Sequence, residues 1–308
     1  MEKVAYSSQE TSMIDYGKTF KHLREQKGIS ITSAANGVVS KSFLSRFERG
    51  LSDISFDKLI RLLTNINISA EEFIYLAHYR EQQPLEFHYE ETKDYIGPKE
   101  SVKRSEKIDH YLWEYRRTKT SHDYLNYLKI KSHYDQADPL TIEERQFIYD
   151  YLFKIETWTH YELRLFMATL DSFSSDQVFL LTKQMVKNGS ETIDVNWNHQ
   201  ADFLYIILKA ALMMALAGKE KELSTLIELA QQSIHNQQYL YEKSELHFLS
   251  GLRLCLRGAV SEGRQMVRKT IQVFKTLDAP DLVTLYESYW QSFLTANPAI
   301  VKSNEFKE

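Results

Sequence analysis

Two stretches of this chain, ALAGKEKEL (215–223) and CLRGAVSEG (255–263), carry the same glycine-centred turn 40 residues apart. Each glycine follows one helix-period apolar segment and precedes another. A helical hairpin cannot bury its apolar face alone, so repeated hairpins stack on one another. Only 10 glycines and 5 prolines interrupt 308 residues, which leaves room for long helices and few turns. Helices are expected at about 121–136, 141–155, 158–172, 175–188, 199–217, 219–234, 240–257, 260–277 and 281–294. Thr141 with Glu144, and Thr159 with Glu162, have the spacing of capping boxes that start two of them. From sequence alone this body, 121–300, reads as an all-α repeat. Residues 81–120, with Pro84 and GPK at 97–99, read as linker and adaptor helices, and residues 1–13 as a loose polar N-terminus.

The charge is divided unevenly. Residues 16–50 hold seven Lys or Arg and two Glu, a balance of +5, whereas the remainder balances at −9. A small basic module on an acidic body points to an anionic partner for the module alone. The module, 14–80, reads as five short helices. YGKTFKHLREQKG carries Phe20 and Leu23 and ends at Gly28. Ile31, Ala34 and Ala35 give a second short helix that Gly37 breaks. SKSFLSRFERG (40–50) is the third. Phe56, Leu59, Ile60, Leu62 and Leu63 mark the fourth, and Ser69 with Glu72 caps the fifth. A short turn with Gly between helices two and three makes a helix-turn-helix, whose second helix enters the DNA major groove.

On that third helix Lys41, Ser42, Ser45, Arg46 and Arg49 form one stripe, with Phe43, Leu44 and Phe47 opposite and Ser40 as N-cap. Small hydroxyls and long cations suit phosphates and base edges. The candidate DNA-binding residues are therefore Ser40, Lys41, Ser42, Phe43, Ser45, Arg46 and Arg49. Two roles are open to Phe43, a thymine methyl contact or a place in the core. Ser45 can pack instead, and Arg49 can meet phosphate only.

LREQKGISI and SKSFLSRFERGLSDISFDKLIRLL resemble the Xre-type helix-turn-helix. The SKSxxSRFERG form and the long helical tail are similar to Rgg/GadR/MutR-type regulators of Gram-positive bacteria. The resemblance implies an all-α protein, a five-helix Xre-type module followed by a tetratricopeptide-like right-handed solenoid. It implies a structural ion pair between Arg24 of helix one and Glu48 at the end of helix three. It also implies a homodimer that binds promoter DNA and is controlled by a short signalling peptide, as in quorum sensing. Phe43 departs from the polar residue, commonly glutamine, that the family often has there.

Within the body, Arg164, Lys209 and Arg253 are single cations in mostly apolar helices, spaced 45 and 44 residues apart. Equivalent positions of a solenoid fall in register, so the three are candidates to hold an extended peptide. The alternative is that each lays its stem over apolar surface. Trp158 and Tyr161, at the start of the Arg164 helix, are candidates for an apolar pocket. No glycine-rich phosphate loop, metal-spaced His/Cys cluster or nucleophile motif is present, so neither enzyme activity nor a cofactor is expected. Cys255 alone cannot form an internal disulfide; it reads as a packed thiol in a reducing compartment. The most apolar run, FLYIILKAALMMALA (203–217), is interrupted by Lys209 and is shorter than the ~20 residues of a membrane span. No signal-like leader is seen, and a cytoplasmic location is expected. The expected function is a peptide-controlled DNA-binding regulator. A helical-repeat scaffold with a tethering helix-turn-helix, or a regulator sensing a small metabolite, remains as the alternative.

Overall fold

The structure, a computed structural model, describes residues 14–80, 102–134, 139–193, 197–234 and 239–302. The N-terminal stretch 1–13 and most of the linker expected at 81–120 lie outside the described residues. The chain divides into two compact units, Met1–Lys99 and Glu100–Glu308.

In the first unit, α1 (Tyr16–Gln26), α2 (Ile31–Ala35), α3 (Lys41–Phe47), α4 (Phe56–Asn65) and α5 (Ala70–Arg80) enclose one core. Phe20, Ala34, Leu44, Phe47, Leu62, Leu63 and Phe73 fill it. Side-chain caps set the short helices. Asp15 accepts from the backbone N–H of Lys18, Ser30 from that of Ser33, and Ser40 from that of Phe43. Ser69 and Glu72 bond reciprocally, as their spacing predicts. Phe56 behaves otherwise than the apolar pattern of α4 suggests. It stands at the first helical position and is 70% exposed, whereas Leu62 and Leu63 are buried.

The second unit continues with α6 (Val102–Thr118), α7 (Ser121–Tyr134), α8 (Ile142–Lys154), α9 (His160–Thr169) and a 3-10 turn at Leu170–Ser172. Then follow α10 (Ser175–Ile193), α11 (Trp197–Leu216), α12 (Glu220–Ser233), α13 (Leu240–Leu256), α14 (Val260–Thr276), α15 (Pro280–Ala296) and α16 (Pro298–Lys302). Successive helices pair as hairpins, α6 with α7, α11 with α12 and α13 with α14. The helices α7, α9, α11 and α13 form one packed row; among the described residues of the other row, α8 and α10 are the pair in close contact. The row whose helices lie closer is the inner row of a curved stack of hairpins.

The repeated glycine turn is real in geometry. Gly218 and Gly258 have φ of 69° and 91°, a region open to glycine at little cost. In each turn the next residue donates its N–H back five positions, Lys219 to Met214 and Ala259 to Leu254. These are Schellman closures that end one helix and aim the next.

Candidate functional site

The stripe expected to read DNA lies on α3. Leu44 and Phe47 are buried and fix the helix, while Ser40, Lys41, Ser42, Arg46 and Arg49 are exposed and Ser45 is half-buried. Arg49 Nε donates to the Ser45 carbonyl at 3.1 Å, and Arg46 reaches the Leu51 carbonyl at 3.4 Å. Beneath the stripe, Arg24 Nε and Nη2 donate to the two Glu48 carboxylate oxygens at 2.7 and 2.9 Å. Both side chains are buried, and Arg24 Nη1 also caps the Ile29 carbonyl at 2.8 Å. The forked bond to Glu48 raises the Arg24 pKa.

Phe43 is half-buried and stands outside the apolar core of the unit. Lys58 Nζ lies 5.5 Å from its ring centroid, a cation–π distance. Sequence reasoning missed Lys58, because the pair joins two helices 15 residues apart. It also missed how α4 holds the turn before α3. Arg61 donates to the Gly37 carbonyl at 2.8 Å, and Asn65 Nδ2 to those of Ala34 and Asn36 at 2.8 and 2.9 Å. Those bonds satisfy turn carbonyls that would otherwise need water, and they set the entry angle of α3.

The three cations of the repeat domain are not equivalent. Arg164, on α9, is buried and donates Nε to Asp202 of α11 at 2.9 Å; His160 Nδ1 is 3.3 Å from the same oxygen. Lys209, on α11, lies 3.6 Å from Asp171 of the 3-10 turn. Arg253, on α13, is half-buried and its Nε has no hydrogen-bond partner. Two of the three positive charges are therefore already met by carboxylates, which a row of free cations requires them not to be. Trp158 is 1% exposed and packs edge-on against Phe166 in the core, so it lines no open pocket. Tyr161 is half-buried, its ring tilted against that of His122 at 5.4 Å, with its hydroxyl unpaired; burial raises its pKa.

Helices α13 and α15 bring together a tyrosine and carboxylate cluster. Tyr205 of α11 and Tyr241 of α13 are 39% and 42% exposed, and Leu240 is 71% exposed. Tyr286 of α15 donates to the Tyr241 hydroxyl at 3.4 Å. The Glu245 carboxyl lies close enough to the Tyr241 and Tyr286 hydroxyls to act on both. Desolvation first, then the Glu242 carboxylate, push it up to about 7, against the pull of Lys209. Such a cluster can hydrogen-bond and stack on an extended ligand while counting its charge. Tyr241 and Glu245 were not singled out from sequence, since their neighbours Tyr286 and Lys209 come from α15 and α11.

A family model described as the C-terminal domain of the HTH-type transcriptional regulator Rgg matches residues 105–288, and a helix-turn-helix model matches residues 20–73. The chain belongs to the Rgg family. It is thus a helix-turn-helix transcription regulator and not an enzyme. Among solved structures, the SHP pheromone receptor Rgg2 of Streptococcus dysgalactiae is 27% identical, with a TM-score of 0.75 over 90% of this chain and 99% of that one. The PrgX/cCF10 complex is 16% identical, with a TM-score of 0.67 over 92% of this chain and 94% of that one. ComR from S. thermophilus, solved with DNA and its signalling peptide ComS, is 15% identical, with a TM-score of 0.56 over 92% of this chain and 99% of that one. The last two share the fold of this Rgg-family chain. No helix among the described residues is long and apolar enough to cross a membrane.

Proposed function

We propose that this Rgg-family regulator grips promoter DNA with α3 and receives a short signalling peptide on the inner row of its repeat domain, the peptide altering promoter occupancy. The observation that carries the peptide reading is the exposed pair Leu240 and Tyr241 at the start of α13, with the Glu245 carboxyl and the Tyr286 hydroxyl beside Tyr241. The relation to Rgg2, a pheromone receptor, supports it. In this reading Ser40, Lys41, Ser42, Phe43, Ser45, Arg46 and Arg49 face DNA. Tyr161, Lys209 and Arg253 contribute to the peptide site, with Arg164 and Trp158 supporting it from within. A dimer with paired half-sites and a cytoplasmic location belong to the same reading.

Calorimetry of the full chain against short synthetic apolar peptides encoded by the same genome tests it. One peptide should bind stoichiometrically, and Tyr241→Ser should weaken it by roughly tenfold, about the worth of one contact of ~1.4 kcal/mol. Tight binding that Tyr241→Ser and Lys209→Met leave unchanged would move the site elsewhere. Binding of a metabolite in place of any peptide would overturn the peptide reading and leave DNA binding standing.

A further inference from the structure

The C-terminal end of α6 gathers three exposed cations, Arg116, Arg117 and Lys119. Elsewhere in this unit Lys131, Arg164, Lys209 and Lys219 each meet a carboxylate. At the end of α6 aromatic faces take that place. The Arg117 guanidinium lies 5.4 Å from the ring centroid of Trp113, which is 56% exposed. Lys119 Nζ lies 5.1 Å from that of Tyr115. An aromatic face holds a cation in place without neutralising it. Of the nearby carboxylates, Glu114 accepts from Arg117 at 2.6 Å, and Asp123 accepts from the Thr118 and Thr120 hydroxyls. Arg116 and Lys119 make no ion pair among the described residues.

Cations at a helix C-terminus offset the macrodipole, but that role needs no exposed indole. Nor does it need the backbone of Lys119. This residue has φ of 58° and closes α6 by donating its N–H to the Tyr115 carbonyl at 2.8 Å. Glycine takes that conformation freely, as Gly218 and Gly258 do, and lysine takes it at a cost. The other described non-glycine residues with positive φ are Asn67 and Asp278, types that tolerate the region. A lysine kept there against its backbone preference marks a use for its charge.

Fixed cations left without carboxylates suit an extended anion, and the chain already holds one. Helix α5 ends at Arg80 and α6 begins at Val102, so 21 residues separate them. A chain of that length spans at most about 75 Å. The end of α6 is thereby tethered to the duplex that α3 grips, and tethering gives a weak contact a high effective concentration. We infer that the end of α6 is a second DNA contact, in which Arg116, Arg117 and Lys119 bond backbone phosphates and Trp113 and Tyr115 are the platforms that aim two of them. The contact rests on the DNA-binding reading. It carries no sequence information, adds salt-sensitive affinity, and gives the acidic repeat domain a local hold on the duplex.

The full chain is used to enrich a pool of random-sequence duplexes, and the winning duplex is titrated by fluorescence anisotropy over a salt series. Arg116→Gln combined with Lys119→Gly should bind roughly tenfold to sixtyfold more weakly at about 0.1 M salt and lower the slope of log K against log salt by about 1.8. Its melting temperature should not fall, because glycine suits the turn. Arg268→Gln combined with Lys269→Gln removes two exposed charges of α14 and should stay within about threefold of the parent. Equal losses by the two double variants would trace the effect to overall charge and overturn the contact. A loss accompanied by a lower melting temperature would mark the end of α6 as structural and overturn it too. Parent-like binding by the α6 variant overturns the DNA contact and leaves these cations to an acidic protein partner. Failure of the parent to enrich any duplex overturns the DNA reading, and this contact with it.

Discussion

Arg24 and Glu48 are the residues on which the reading helix depends, and their value lies in being matched. Each is buried, and the forked bond at 2.7 and 2.9 Å satisfies the charge of both. Removing one partner leaves a charge in the core. Glu48→Gln or Arg24→Met should therefore destabilise the first unit by about 3–5 kcal/mol. The double variant should recover part of that loss. Additive losses in chemical denaturation would show that the two act separately. Phe43 lies outside the core and beneath Lys58. If the ring holds Lys58 toward phosphate, Lys58→Met lowers the slope of log K against log salt by about 0.9 and weakens all sequences alike. Arg46→Ala should instead cost about 1–3 kcal/mol on the preferred sequence alone, as removal of a base contact does. Fluorescence anisotropy over a salt series separates the two patterns.

Among the elements, the α13–α14 hairpin is the most tightly joined. A β-carbon built on Gly263 would lie 2.5 Å from both the Gly251 carbonyl oxygen and the Cys255 sulfur. The helices meet backbone to backbone there, and the thiol is sealed between them, 2% exposed and pushed up to about 11 by desolvation. Gly263→Ala must push the helices apart, at about 1–3 kcal/mol. It should lower the melting temperature and raise the rate at which a thiol reagent reaches Cys255, which in the parent reacts only as the hairpin opens. Rapid labelling of the parent would contradict the sealed thiol. The turns of this hairpin and of α11–α12 were legible in the sequence, because a glycine in the left-handed region is a local requirement. So were the caps of Thr141 and Thr159, each of which bonds Glu144 or Glu162 three residues on. Length was less so; α10 runs to Ile193 rather than ending near 188, and the helix expected at 158–172 gives way to a 3-10 turn at Leu170. The register of Arg164, Lys209 and Arg253 was also legible, but not their partners. Asp202 is 38 residues from Arg164 and Asp171 is 38 from Lys209, and only helix packing brings such pairs together.

On the scale of the whole chain, a basic module is paired with an acidic body, and the body's charge responds to pH near neutrality. Glu245 is one group that responds. Its carboxyl is pushed up to about 7 from 4.5, chiefly by desolvation and then by Glu242. The shift runs opposite to that of a salt-bridged carboxylate, so the sign of its effect is reversed. Between pH 4.5 and 7 the folded chain holds a proton that the unfolded chain has released. The stability Glu245 contributes is therefore complete below about pH 4.5, falls as pH rises toward 7, and is constant above that. Glu245→Gln keeps the shape and cannot ionise, so the same pH rise costs it nothing at this position. Its melting temperature relative to the parent should be near zero at about pH 4 and clearly positive by about pH 8, the difference growing across the titration. A constant difference would mean that Glu245 ionises as an ordinary carboxylate and that Lys209 already neutralises it. The growing difference would instead mean that the groove of the resting regulator carries a carboxylate held at the edge of ionisation, which a ligand bringing positive charge would complete.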